Sequence, residues 1–214
     1  MELNKYIDHT LLKADATYEM IDKLCEEAKK YNFFSVCVNG CHVKRCYNNL
    51  KGTNVKVCTV VGFPLGAMTT ESKVFETEDA IKNGADEIDM VINIGAVKSN
   101  DFDLVFNDIK ALVDVTRGKA LLKVILETCL LTDEEIEKVS KLCVDAKAEF
   151  VKTSTGFSTA GSNEKVVTIM KNAVKDNAKV KASGGIRDKA TAIRMIELGA
   201  ERLGVSAGVS IVTE

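Results

Sequence analysis

The chain has 214 residues, with 29 Lys and Arg against 31 Asp and Glu, a net charge of -2, and 46% hydrophobic and 28% charged residues. That length and composition suit one globular domain, 1–214, and exclude disordered, collagen-like and coiled-coil architectures. The balanced charge removes any sequence-wide attraction to nucleic acid or to an acidic membrane surface, which leaves small molecules as the expected partners.

Eight short β-rich runs alternate with helical patterns. The first run is Tyr6–His9, followed by a helix face of Ile21, Leu24, Cys25 and Ala28. Phe34–Asn39 and Val55–Val61 come next, the latter closed by the turn Gly62-Phe63-Pro64-Leu65-Gly66, which at a barrel mouth could also wall a pocket. Asn83-Gly84 stops a helix before Glu87–Asn93, and Phe102, Val105, Phe106, Ile109, Leu112 and Val113 define another helix face before Ala120–Glu127. Thr132 and Glu135 form a capping box ahead of Ile136–Cys143. Glu149–Ser154, Lys179–Ser183 and, after the helix stop at Gly199, Arg202–Ser206 complete the set. Strands that alternate with helices and are covered on both faces form a parallel sheet. Eight units of about 27 residues predict a (β/α)8 TIM barrel of class α/β. The competing doubly wound sheet lacks a GxGxxG after its first strand.

Three lysines stand where strands should be apolar. Lys123, Lys152 and Lys181 follow one another at intervals of 29 residues, so they occupy matching places in consecutive units and are expected to point into the barrel together. Asp89, inside Glu87-Ile88-Asp89-Met90-Val91, adds a carboxylate. Two ammonium groups ~4 Å apart at an effective dielectric of ~20 repel by about 4 kcal/mol, enough to bring one amine from about 10.4 towards ~7.5. A neutral lysine attacks carbonyls to form a Schiff base, and Asp89 would shuttle protons. These residues alone do not rank Lys152 above Lys181.

Gly156, the pair Gly184-Gly185, and Gly204 with Ser206 follow the lysine strands and the last strand. Loops in those places present backbone N–H groups to phosphate in many barrels. The seven cysteines are odd in number and scattered, and they read as reduced thiols. Cys37, Cys41, His42 and Cys46 do not have structural-zinc spacing, so no metal is expected. Met1–Lys5 lacks the apolar core of a signal peptide and no 18-residue apolar run occurs, which points to the cytoplasm and away from a membrane.

With these residues in place the chain resembles the deoxyribose-phosphate aldolases, a class I aldolase family of the TIM-barrel fold. The resemblance runs from Asp8-His9-Thr10-Leu11-Leu12 through Ser35-Val36-Cys37-Val38-Asn39 to Leu203-Gly204-Val205-Ser206. It is most specific at Glu87-Ile88-Asp89-Met90-Val91, Val151-Lys152-Thr153-Ser154-Thr155-Gly156 and Lys181-Ala182-Ser183-Gly184-Gly185-Ile186-Arg187. It implies that Lys152 forms the Schiff base, that Lys181 and Asp89 relay protons, and that Gly156, Gly184, Gly185, Gly204 and Ser206 contact phosphate. It makes Cys37 a pocket residue, Lys123 a supporting charge and Asp8 a partner behind them. The implied reaction is reversible cleavage of 2-deoxy-D-ribose 5-phosphate to D-glyceraldehyde 3-phosphate and acetaldehyde, a step of deoxyribose phosphate catabolism, with no metal or organic cofactor. Small barrels often pair through their outer helices, which makes a homodimer or other homo-oligomer the expected assembly. Gly40, Val205 and Ala207 depart from common family residues, and the chain ends at Glu214 without the terminal tyrosine that assists proton transfer in some relatives. Rival readings are an aldolase for 2-keto sugar acids, with Arg187 as the carboxylate's cation, and a phosphosugar sensor without turnover.

Overall fold

Eight short apolar strands joined by helices can bury both faces of every strand, and leave no sheet edge, by closing on themselves. A computed structural model describes residues 1–214 and has this arrangement. β1 (Ile7–Leu11), β2 (Ser35–Val38), β3 (Lys56–Val61), β4 (Glu87–Val91), β5 (Leu121–Ile125), β6 (Phe150–Lys152), β7 (Lys179–Ser183) and β8 (Ala200–Val205) form a closed parallel barrel in chain order, with β8 paired back onto β1. Nine α-helices accompany it: α1 (Tyr18–Tyr31), α2 (Val43–Leu50), α3 (Thr70–Asn83), α4 (Ile94–Lys98), α5 (Phe102–Thr116), α6 (Asp133–Ala146), α7 (Glu164–Val174), α8 (Lys189–Glu197) and α9 (Gly208–Thr213).

The helices form where the sequence supplies a face and a start. Thr17 caps α1 by accepting the Met20 N–H, and α1 buries the expected Ile21, Leu24, Cys25 and Ala28. The Thr132–Glu135 capping box opens α6, and the left-handed Gly84 stops α3. These helix faces and the outward strand residues make one large core. A second, smaller apolar cluster of Leu12, Cys37, Cys58 and Val60, joined by Phe63, stands apart from it. No helix is long and apolar enough to cross a membrane.

Strand ends differ from the sequence expectation for local reasons. Tyr6 lies in a 3-10 turn, Leu3–Tyr6, and β1 continues to Leu11. β5 stops at Ile125 because Glu127 takes a left-handed backbone with φ 54°, which no strand accommodates. β6 is only three residues long, and β8 starts two residues early at Ala200.

Candidate active site

Side chains alternate across a strand, so residues two apart share a face, and register then decides which of them meet across neighbouring strands. Asp89 on β4 is in register with Lys123 on β5, Lys152 on β6 with Lys181 on β7, and Lys181 with Arg202 on β8. The three lysines of equal phase therefore converge. Asp89 Oδ2 accepts from Lys152 Nζ at 2.7 Å and from Lys181 Nζ at 2.8 Å, while Oδ1 accepts from Lys123 Nζ at 2.8 Å and from the Cys58 thiol at 3.1 Å. All three amines are buried, Lys152 keeping only 2% exposure.

Further charges complete the cluster. Lys181 also donates to Asp8, whose other oxygen accepts from Ser35 Oγ at 2.7 Å and from Arg202 at 2.8 Å. Arg202 reaches Glu87 at 3.1 Å, and Glu87 pairs with Lys123 at 2.6 Å. The Arg202 guanidinium lies 3.4 Å from the centroid of the Phe34 ring.

For Lys123 and Lys181 this arrangement corrects the expectation that one lysine depresses another. Burial is the largest influence on Lys181 and pushes it down, but Asp8 and Asp89 overcome it and hold the ammonium well above the ordinary lysine range. Lys123 behaves the same way beside Asp89 and Glu87. Burial would raise Asp89, yet Lys123, Lys152 and Lys181 together keep it well below the ordinary carboxylate range, so it is ionised. Asp8 is likewise lowered, against burial, by Lys181 and Arg202. Lysines outnumber carboxylates nowhere in this interior: three face three, with Arg202 in addition.

The glycine loops gather at one rim. A Cβ on Gly184 would fall 2.9 Å from Gly161 Cα and 3.8 Å from Gly156 Cα, so these loops pack backbone to backbone. Ser162 ties them by donating from its N–H and Oγ to Gly184 O, both at 3.0 Å. Gly184 and Gly185 share φ 82°, a conformation that favours glycine. The N–H groups of Gly185, Ile186 and Ser206 have no acceptor within the chain. Gly204 is required by packing as well, because a Cβ there would lie 2.3 Å from Ser183 Oγ and 3.1 Å from Lys181 Cε.

Cys37 is fully buried beside Cys58, its partner in register, and the Cys58 hydrogen bond lowers its thiol. Cys37, Cys58 and Asp89 lie close enough to share an ion, but the three ammonium groups on Asp89 oppose a cation there. Cys41 is exposed and Cys46 lies beside Cys25, so the cysteines near His42 do not converge. Arg187 is exposed.

The turn after β3 is both a turn and a wall. Phe63 meets Phe157 edge to face at 5.3 Å, and Pro64, Leu65, Phe157, Glu127 and Thr155 help line a cavity of about 310 Å³. A hollow of about 420 Å³ beside Met1–Asn4, Lys30 and Lys189 contains none of the buried charges.

Sequence reasoning missed Glu87, Arg202, Cys58, Ser154, Ser183, Glu127 and Gly161. Glu87 carried a signal, since it sits two residues before Asp89 on the same face. Arg202 shares its phase with Gly204 in β8. Ser154 and Ser183, two residues beyond Lys152 and Lys181, are buried with hydroxyls that have no partner in the chain. Glu127 accepts from the Thr155 N–H and hydroxyl, a pairing no local pattern announces.

A family model described as DeoC/LacD family aldolase matches residues 3–212. The deoxyribose-phosphate aldolase of Brevibacillus brevis is 61% identical over 213 residues, covering 100% of this chain and 96% of that one. That of Finegoldia magna is 59% identical and covers 99% of each. Among solved structures, the aldolase QR15 has a TM-score of 0.94 at 43% identity, covering 99% of this chain and 94% of that one. The deoxyribose phosphate aldolase of Aeropyrum pernix, described as a unique tetramer, has a TM-score of 0.92 at 32% identity, covering 99% and 89%.

Proposed function

Because the chain belongs to the DeoC/LacD aldolase family, we propose that it is a class I aldolase that reversibly cleaves 2-deoxy-D-ribose 5-phosphate to D-glyceraldehyde 3-phosphate and acetaldehyde. One observation carries the chemistry: two buried lysines, Lys152 and Lys181, share a single oxygen of Asp89 inside a barrel. A sensor of phosphosugars needs cations for phosphate and has no use for paired amines bridged by a carboxylate.

In this reading Lys152 attacks C1 of the open-chain aldehyde and loses water to give an iminium, which withdraws the electron pair as the C2–C3 bond breaks. The C3 hydroxyl proton leaves through water to the Asp89–Lys181 pair, and the same pair later returns a proton to the enamine carbon. Hydrolysis of the resulting iminium then releases acetaldehyde and frees Lys152. Lys181 suits the acid role because its ammonium is held charged by Asp8 and Asp89. Lys123 supports Asp89 from the opposite oxygen. Ser154 and Ser183 supply hydroxyls for the sugar chain. The phosphate sits against Gly156, Gly184, Gly185, Gly204 and Ser206, using their N–H groups and the Ser206 hydroxyl. Cys37 bounds the aldehyde end.

The enzyme acts as one catalytic domain, 1–214, in the cytoplasm, on a phosphorylated sugar and as a homo-oligomer such as a homodimer. The deciding experiment is borohydride reduction with acetaldehyde followed by peptide mass spectrometry. A two-carbon adduct on Lys152 is expected. An adduct on Lys181 reverses the two roles, and no adduct on folded protein removes the mechanism.

A further inference from the structure

Six of the seven charges in this barrel cluster form a closed ring, and Lys152 joins it from outside. Around the ring Asp89, Lys181, Asp8, Arg202, Glu87 and Lys123 alternate in sign, each within 3.1 Å of the next. Lys181 and Lys123 each bridge two carboxylates, whereas Lys152 has only the Asp89 oxygen it shares with Lys181. With every ring member ionised, three carboxylates balance two ammonium groups and one guanidinium. Lys152 then supplies the one charge without a counterpart: the cluster carries +1 with its ammonium and is neutral with its amine.

We propose that Glu87 and Arg202, which contact neither Lys152 nor the mouth cavity, are positioning residues whose charges set, through this ring, how readily Lys152 gives up its proton. The proposal rests on the reading of Lys152 as the Schiff-base lysine. Coulomb interaction reaches across a buried cluster even where no bond does, so a charge removed three or four contacts away is still felt at the amine. The other charged and titratable groups of this cluster are Asp89 and Glu87 on β4, Lys123 on β5, Lys181 on β7, Arg202 on β8, Asp8 on β1, and the thiols of Cys37 and Cys58 on β2 and β3, and of these Asp89 touches Lys152 directly. Removing Glu87 adds net positive charge and disfavours the Lys152 ammonium. Removing Arg202 does the reverse. A floor that only packs the barrel would weaken folding and turnover in both variants without opposite effects.

The test is the pH dependence of kcat/KM for cleavage of 2-deoxyribose 5-phosphate by wild type, Glu87→Gln, Arg202→Met and the double variant, since this profile reports the free enzyme's ionisations. The acid limb should move about one pH unit lower in Glu87→Gln and about one unit higher in Arg202→Met, and return close to wild type in the double variant. Arg202→Lys keeps the charge, so its acid limb should stay in place even where kcat falls. Limbs that stay put, or that move the same way in both single variants, overturn the proposal. If the single variants do not fold, the ¹³Cε lysine signals of the wild-type enzyme decide it. Lys123 and Lys181 each bridge two carboxylates, so both should stay protonated throughout the pH range of the acid limb, and titration of either one there overturns the ring. Borohydride mapping on the wild type separates the two failures. An adduct away from Lys152 sinks the parent reading, while an adduct on Lys152 with unmoved limbs sinks only the ring.

Discussion

Four donors converge on the two oxygens of Asp89: three ammonium groups and the Cys58 thiol. An amide of the same shape offers one oxygen and no charge, and leaves the surrounding ammonium groups buried without their common partner. Asp89→Asn is therefore expected to lower unfolding stability by about 3–5 kcal/mol and to abolish cleavage, measured by urea titration and by assay. Lys152→Ala should abolish cleavage while the protein still binds phosphosugar by calorimetry, because the ring remains intact without it; cleavage at near wild-type rate would contradict the mechanism. The sequence made the lysines legible because a charge inside an apolar strand is conspicuous and its phase repeats. It could not rank them, since rank depends on how many carboxylates each amine bridges, which is a property of register across strands. Lys73 shows the limit. It is fully buried and donates to Asp108 and to the Val91 carbonyl, yet in a helix rich in charge nothing marks it.

Elements fix the site through close approaches. Where β7 leaves the barrel beside β8, Gly204 leaves room for Ser183 Oγ and Lys181 Cε. Gly204→Ala should raise KM and lower kcat. Ser183→Ala alone also removes a hydroxyl assigned to the sugar, but added to Gly204→Ala it removes the 2.3 Å clash and keeps the 3.1 Å one with Lys181, so the double variant should lose less than the two single variants combined, as steady-state kinetics of the full cycle would show. Fully additive losses would mean that Gly204 matters for an N–H contact rather than for space. At α6 the capping box predicts a loss of about 1 kcal/mol for Thr132→Ala, read from denaturant midpoints, with catalysis unchanged. Helices and their caps were legible because their signals are local. Strand ends were less so. The left-handed Glu127 that ends β5 is held by Thr155 from the next unit, and the Gly161 that lets the β6–α7 loop rest on Gly184 lies in a stretch without periodicity.

At the scale of the whole molecule, length, alternation and strand count were enough to read a closed barrel, while the closure itself rests on contacts between residues almost a chain apart. The buried charges also define a pH window. Asp8 and Asp89 are lowered on folding, so their contribution is full above the ordinary carboxylate value of 3.8 and fades as pH falls below it. Lys181 and Lys123 are raised, so theirs is full below the ordinary lysine value of 10.5 and fades as pH rises beyond it. Thermal midpoints should therefore be nearly level in between and fall on both sides, and a steep change near pH 7 would contradict this account. The homo-oligomer proposed above predicts at least twice the chain mass of 23.3 kDa by light scattering. The seam between β1 and β8 has only three register pairs, and across it Arg202 and Lys181 grip Asp8 from 194 and 173 residues away. A chain emerging from the ribosome already carries Lys152 and Asp89 but lacks the final strand that completes their surroundings. In the proposed mechanism the surroundings of the Lys152 amine are complete only once that strand is seated.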